Sequence, residues 1–416
     1  MNRSFFLHLC NQRISNIWTR PHVACRRGST LIKSDFTSFF FHNEQWTATP
    51  SRQKKLDRPS FRRITHAVPV MHEDEFRETE ALTPRRLLKI YMQLSKTNLT
   101  VLNVLAAMSC VALCPLPTTV PVLLSTAVGT ALCATSANTL NQLQEVPYDS
   151  QMTRTRMRPL VRRAISPLHA TGFAVVTGIC GPAILWTMVN PMTAILGAAN
   201  IALYAGLYTW LKRKHVVNTW VGAVVGAVPP LMGWTACGGH IFPSSNHPFE
   251  FFLPQFLSSM PAVPIDLSLI DNPLSPFAFC MFLFSWQFPH FNAISYLVRG
   301  SYAQAGFRML SVLSPSHNAL VALRHAILLI PICSILFPLS GLTTWTFALT
   351  SLVPNAICTQ AAWNFWRGGA EKEARIVFQH SLWYLPVVMA LMMVHKQGMD
   401  WVKWVRLTSE DEIEEP

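Results

Sequence analysis

The 416-residue sequence is short of charge, and above all of acid. Charged residues make up 13% of it and hydrophobic residues half, and its mean hydropathy is positive. That balance excludes a soluble globule with a polar shell and points to a polytopic membrane protein. The ten cysteines form no CxxC pair and no Cys/His spacing that resembles a zinc site. Scattered mostly through apolar stretches, they read as small buried hydrophobes. Aromatic–basic interleaving is missing, which argues against nucleic acid despite a net charge of +13. Between Asn272 and Ala370 there is no carboxylate at all, so that half has no second acidic metal cluster. From Ala81 to Phe249 the only acids are Glu145 and Asp149.

Those two acids mark the stretch around which the chain is organised, Asn141-Gln-Leu-Gln-Glu145-Val-Pro147-Tyr-Asp149. Asn141, Glu145 and Asp149 are spaced by four residues, so a helix would place all three on one face. Arg154, Arg156, Arg158, Arg162 and Arg163 follow at once. Oxygen ligands beside dense guanidinium suggest a divalent cation next to a polyanion, most simply Mg²⁺ and a diphosphate. A salt-bridged loop flanking a span is the alternative. Pro147 has no N–H and clashes with the preceding turn. It predicts that the helix kinks or ends there, leaving Asp149 on the loop.

The chain divides by composition. Residues 1–60 are basic and rich in Ser, Thr and Phe; through Phe40 they hold six basic residues and one acid, Asp35. With no apolar core of secretory type, this is the composition of a mitochondrial presequence, or of a disordered basic tail. Residues 61–96 read as a hydrated linker on the matrix side. Nine apolar runs follow, near 98–114, 118–140, 168–189, 191–211, 217–237, 274–291, 319–337, 342–362 and 380–396, each close to the roughly 20 residues of a bilayer span. The fold expected is an all-α bundle of nine transmembrane helices over 97–397, with an acidic tail at 398–416. Basic residues fall in alternate loops, so every basic loop lies on one side, the mitochondrial matrix by the positive-inside rule. The organising stretch emerges on that side. The 238–272 loop, aromatic and proline-rich, falls on the outer side, and no chemistry is legible in it.

Two further blocks hold candidates. Tyr208-Thr-Trp-Leu-Lys212-Arg213 offers a point charge and a fork for phosphate oxygens, or an interfacial anchor. In the following run, Gly222 and Gly226 read as close helix packing, and Pro229–Pro230 as a helix break lining a cavity. The sixth run ends Trp286-Gln-Phe-Pro-His290-Phe-Asn292. A histidine in an apolar run needs a partner or a function. His290 could touch a haem iron, act as acid or base, or hydrogen-bond inside the bundle.

Together these residues carry a resemblance. Asn141-x3-Glu145-x3-Asp149-x2-Met152-x-Arg154-Thr155-x2-Arg158-Pro159-Leu160 resembles the first signature of the UbiA-type intramembrane prenyltransferases, in their haem O synthase branch. The Tyr208–Arg213 and Trp286–Phe291 blocks are similar to the branch's second and third, and the likeness covers about residues 98–395. The resemblance implies transfer of farnesyl from farnesyl diphosphate to a vinyl group of haem b, giving haem O on the way to haem A for cytochrome c oxidase. It implies Mg²⁺ held by Asn141, Glu145 and Asp149. Arg154, Arg158, Lys212 and Arg213 would bind diphosphate, with Tyr208 and Tyr302 lining the site and Trp286 and His290 on the haem side. It implies a multi-pass enzyme of the mitochondrial inner membrane, with the active site facing the matrix. Membrane lipid and proteins of haem A synthesis or oxidase assembly would be its partners. One departure stands out: the family usually has an acid before Tyr302, where this chain has Ser301. Neutral serine is a weak Mg²⁺ ligand, so either one metal suffices, or Asn292 or water completes the second metal's shell, or activity is reduced. The other readings are a quinone-precursor prenyltransferase of the same fold and, in a different class, a membrane carrier.

Overall fold

The computed structural model describes residues 83–254 and 271–398. The expected presequence, the acidic tail, most of the linker and the middle of the 238–272 loop lie outside the described residues. Within them the chain is all-helical, apart from one isolated bridge between Thr343 and Lys396.

Helix α1 (Pro84–Leu94) starts on Thr83, whose hydroxyl accepts from the Arg86 N–H at 3.4 Å. It occupies residues assigned on the sequence to the linker, and it buries Ile90 and Leu94 against Leu160, Ile165 and Ala170. Lys96 then takes a left-handed conformation (φ 48°), and α2 (Thr97–Leu113) leaves at 58° to α1. Next come α3 (Val120–Asp149), α4 (Pro167–Met188) and α5 (Pro191–Leu211). The turn Ala202–Tyr208 within α5 is π-wound. Helix α6 (Asn218–Ala236) ends the first half. The second half holds α7 (Leu274–Leu297), the short α8 (Arg299–Gln304) and α9 (Leu310–Leu313), then α10 (Pro315–Leu339), the short α11 (Thr346–Thr350), α12 (Leu352–Gly368) and α13 (Glu371–Val394).

A helix lies at each of the nine expected apolar runs. The count of nine spans is not reached by length and apolarity, however. Five helices among the described residues qualify, namely α3, α4, α5, α10 and α13, or six if the bent α1–α2 pair is one span. The reason is physical. Helices α2 and α12 have 17 residues each, α6 carries Asn218, Thr219, Pro229 and Pro230 in its 19 residues, and α7 carries Gln287, His290 and Asn292 in its second half. Large apolar side chains face outward, as on a lipid-facing wall: Val176 is 60%, Ile179 65% and Leu349 70% exposed.

One expected helix break does not occur, and the other comes two residues late. Helix α3 runs through Pro147 to Asp149, and α6 runs through Pro229 and Pro230 to Ala236. Packing on neighbours holds a proline-bearing helix together in a membrane bundle, where the local rule predicts an end. Asp149 therefore stays on the helix face of Glu145, and the two prolines of α6 are buried in its packing. Close approach is built by glycine. A Cβ on Gly233 would stand 2.2 Å from the Ala107 carbonyl oxygen, and one on Gly222 would stand 2.8 Å from the Tyr208 ring. Gly222, read as helix packing, thus seats a residue of the site.

Candidate active site

Helix period and burial together build the site. Asn141, Glu145 and Asp149 sit on one face of α3, and all three are buried. Each is held by a cation or a hydroxyl from another segment. Lys96, at the bend between α1 and α2, donates from Nζ to Asn141 Oδ1 at 2.8 Å and to the Tyr204 hydroxyl at 3.0 Å. Asn141 Nδ2 donates to Thr209 Oγ1 at 3.0 Å. Lys212 Nζ lies 2.7 Å from Glu145 Oε1. Arg158 NH1 donates to Asp149 Oδ2 and lies 3.7 Å from Glu145 Oε2.

The turns after α3 explain how Arg158 gets there. Thr155 Oγ1 donates to the Asp149 carbonyl at 2.9 Å, folding the chain back on the helix end. Met152 is buried with Phe307 and Met309, and Leu160 is buried with Ile90 and Leu94. Anchored at both ends, the stretch returns Arg158 to its two carboxylates. The Met, Thr, Arg and Leu of the motif thus serve as anchor, tie, charge and anchor.

The π-wound turn of α5 shifts the helix phase. Tyr204 and Tyr208 stack at 5.3 Å and 14°, and Lys212 Nζ lies 4.6 Å from the Tyr208 ring centre. Lys212 lies just beyond the end of α5, clear of the spans. Burial, the largest single influence, would lower its pKa, but Glu145, Tyr208 and Tyr204 beside it together outweigh burial and hold it above the ordinary lysine value. Its main-chain carbonyl accepts from Arg308 N–H at 2.9 Å, and Asn218 Nδ2 donates to the Arg308 carbonyl at 3.1 Å. Arg213 NH1 donates to the Tyr148 hydroxyl at 3.1 Å. Tyr302 meets Phe307 edge-on at 5.9 Å, and Phe307 meets Tyr148 at 5.4 Å.

Of the residues expected at the site, the structure brings together Asn141, Glu145, Asp149, Arg158, Tyr208 and Lys212. Arg213 and Tyr302 join the rim through Tyr148 and Phe307. Arg154 is exposed, with no ion-pair partner among the described residues. His290 and Trp286 take their partners from α13 and not from the charge cluster. His290 Nδ1 lies 2.9 Å from Ser381 Oγ, its ring stacks on Trp286 at 4.9 Å, and Trp286 Nε1 donates to the Ser381 carbonyl at 3.0 Å. Of the three roles open to His290, the hydrogen bond inside the bundle is the one seen. Asn292, offered for a second metal shell, is buried elsewhere. Its Nδ2 donates to the Asn318 carbonyl, and Asn318 Nδ2 donates back to the Asn292 carbonyl, both at 3.0 Å. Lys96, Tyr204 and Thr209 were not singled out on the sequence. Lys96 was legible only as one of four basic residues, with Arg85, Arg86 and Lys89, that flank the first apolar run.

The fold and the site define an all-helical membrane bundle. One buried face of oxygen donors in it is ringed by lysine, arginine and tyrosine. A sequence profile of the UbiA prenyltransferase family matches residues 101–383, and the chain belongs to that family. It is 45% identical over 338 residues to a mitochondrial protoheme IX farnesyltransferase of Yarrowia lipolytica, covering 77% of this chain and 64% of that relative. It is 43% identical to the enzyme of the same name from Neurospora crassa, covering 80% and 65%. To that of Eremothecium gossypii it is 37% identical, covering 90% and 82%. The matches thus span just under two thirds of the first two relatives' length. The fold is similar to that of a digeranylgeranylglyceryl phosphate synthase, with a TM-score of 0.55, 13% identity, and 74% and 98% of the two chains covered. It is also similar to an Archaeoglobus fulgidus UbiA homologue bound to GPP and Mg²⁺, with a TM-score of 0.50, 12% identity, and 73% and 99% covered.

Proposed function

We propose that this protein transfers farnesyl from farnesyl diphosphate to a vinyl group of haem b, making haem O in the mitochondrial inner membrane. The observation that carries the reading is the buried face of α3, where Glu145 and Asp149 stand against Lys212 and Arg158. The names of the relatives supply the acceptor. Matrix orientation follows from the one-sided basic loops.

The donor set suits Mg²⁺: one amide oxygen and two carboxylates, all hard and buried, with no sulfur or imidazole among them. Asn141, Glu145 and Asp149 would hold it, and when bound it would offset the charge of the diphosphate. The chain's own part is as follows. Lys212 and Arg158 lean on the carboxylates in the free protein and turn to the diphosphate oxygens when it enters. They stabilise the charge that builds on the leaving group as the allylic C–O bond breaks. Arg213 adds a forked donor at the rim. The stacked rings of Tyr204 and Tyr208 line the floor and keep bulk water from the allylic cation. The vinyl π-electrons form the new C–C bond to farnesyl C1. Water then adds to the resulting cation and releases one proton, leaving a hydroxyethylfarnesyl group and free diphosphate. Trp286 and His290 form an aromatic wall in the second half, suited to the porphyrin face.

The test is a product assay on the purified full chain in detergent, with haem b, farnesyl diphosphate and Mg²⁺. Haem O formed by wild type and lost with EDTA supports the reading. Prenylation of a quinone ring precursor but not of haem b would move the assignment to another acceptor, and uptake without product would make the protein a carrier.

A further inference from the structure

The end of the bundle away from the charge cluster carries a second constellation. Helix α6 begins at Asn218, which is tied through Arg308 to Lys212. It ends at Ala236, 19 residues on, or about 28 Å along the axis at 1.5 Å per residue. The loop beyond it was read as empty of chemistry, yet it folds His240 and His247 onto Asp271, 31 residues further along from His240. Their ligand atoms all lie within 4.8 Å of one another. His240 Nδ1 is 2.6 Å and His247 Nδ1 3.7 Å from the same oxygen, Asp271 Oδ2. The two imidazole rings stack at 4.1 Å.

The scaffold beneath them is fixed. The His240 N–H donates to both Asp271 oxygens, at 3.1 and 2.9 Å. Asn272 next door donates to the carbonyls of Glu250 and Ser340, at 2.7 and 3.0 Å. Ser244 and His247 close a turn on one another through backbone bonds of 3.0 and 3.2 Å. The Asp271 side chain is 8% exposed, whereas that of His240 is 54% exposed. A buried carboxylate is thus presented to solvent through two imidazoles.

We propose that His240, His247 and Asp271 form a binding site for a divalent transition ion of the Zn²⁺ class, on the face opposite the prenyl-transfer site. Two neutral imidazole nitrogens and one carboxylate oxygen are the donors such ions take, with further positions open to water. Bonds of about 2.0–2.1 Å at tetrahedral angles put ligand atoms about 3.3 Å apart. The ion replaces the proton now shared between His240 and Asp271, opening that contact by about 0.7 Å, while His247 closes by about 0.4 Å. Such an ion would tie the loop after α6 to the start of α7.

The rival is a plain staple, in which Asp271 only pins the His240 backbone. His247→Ala separates the two, because it leaves the staple bonds intact. Tag-free full-length protein in detergent is titrated with Zn²⁺ by calorimetry, and with Co²⁺ by its visible absorption. The proposal expects one saturable Zn²⁺ site, a Co²⁺ band, and a Zn²⁺-dependent rise in apparent Tm. His247→Ala should weaken binding by at least about a hundredfold and leave prenyl transfer unchanged. No saturable site in wild type, or equal affinity in His247→Ala, would overturn it. Zn²⁺ bound by wild type and by Asp271→Asn alike would assign the ion to other side chains, and so would overturn it too.

Discussion

Both halves of the bundle bury polar side chains, but of different kinds. Around α3 they are ionic. Glu145 and Asp149 of α3 meet Lys96, Lys212 and Arg158 from three other segments, and each charge is matched by another or by a hydroxyl. Around α7 they are neutral. His290 meets Ser381, Asn292 and Asn318 exchange amide-to-carbonyl bonds, and the Tyr384 hydroxyl donates to Asn355 Oδ1 at 2.6 Å. A buried charge is costly unless paired, and a paired set can re-partner when an anion arrives. A neutral amide pair has no such second use; it locks one helix on another. On the proposed function, the contrast fits a charged substrate in the first half and apolar walls in the second.

The largest expected effect comes from breaking the ionic half. Lys212→Met removes the shortest ion-pair contact to Glu145 and the proposed diphosphate ligand together. Steady-state haem O formation should fall by about 10²–10³-fold, as when one donor to a developing anion is lost. The neutral half should answer in stability rather than rate. Asn318→Ala removes one bond to the buried Asn292 carbonyl and leaves it the longer contact from the Ser295 hydroxyl at 3.3 Å, costing about 0.5–1.5 kcal/mol. Thermal unfolding in detergent should show a lower Tm, with kcat near wild type. A smaller effect is expected at Ser301. If the α3 donors suffice, Ser301→Asp changes the rate by less than about tenfold, or ~1.4 kcal/mol. Rescue of a feeble wild type by that change would mean a missing second acid limits it. The smallest effect is that of pH. Because Lys212 is held above its ordinary value, its pairing is complete below the unfolded pKa of about 10.4 and is lost only as pH rises through the folded value. Its contribution to activity should therefore be flat from about pH 6 to about pH 9.

How much of this could be read beforehand depends on distance along the chain. Asn141, Glu145 and Asp149 were legible because acids are scarce and a helix repeats every 3.6 residues. Lys212 was legible as the cation at the end of an apolar run. The Glu145–Lys212 pairing itself spans 67 residues and needed the fold. Lys96 was illegible as a site residue because its reach depends on the bend between α1 and α2. Pro147, Pro229 and Pro230 misled for the opposite reason: a sound local rule gave way to tertiary packing. His240, His247 and Asp271 share no spacing that a motif captures, since Asn272, pinned to Glu250 and Ser340, brings them together. Ser381 and its bond to His290, 91 residues apart, were equally out of reach.

The most direct test of the central claim, that the ionic face of α3 holds the diphosphate, is equilibrium binding of an unreactive farnesyl thiodiphosphate to the purified protein. It would be measured with and without Mg²⁺, for wild type, Asp149→Asn and His290→Ala. The account predicts Mg²⁺-dependent binding, weakened at least about tenfold, or ~1.4 kcal/mol, by Asp149→Asn and untouched by His290→Ala. Binding that ignores Mg²⁺ and Asp149 alike, or that is lost with His290→Ala in the folded protein, would contradict it.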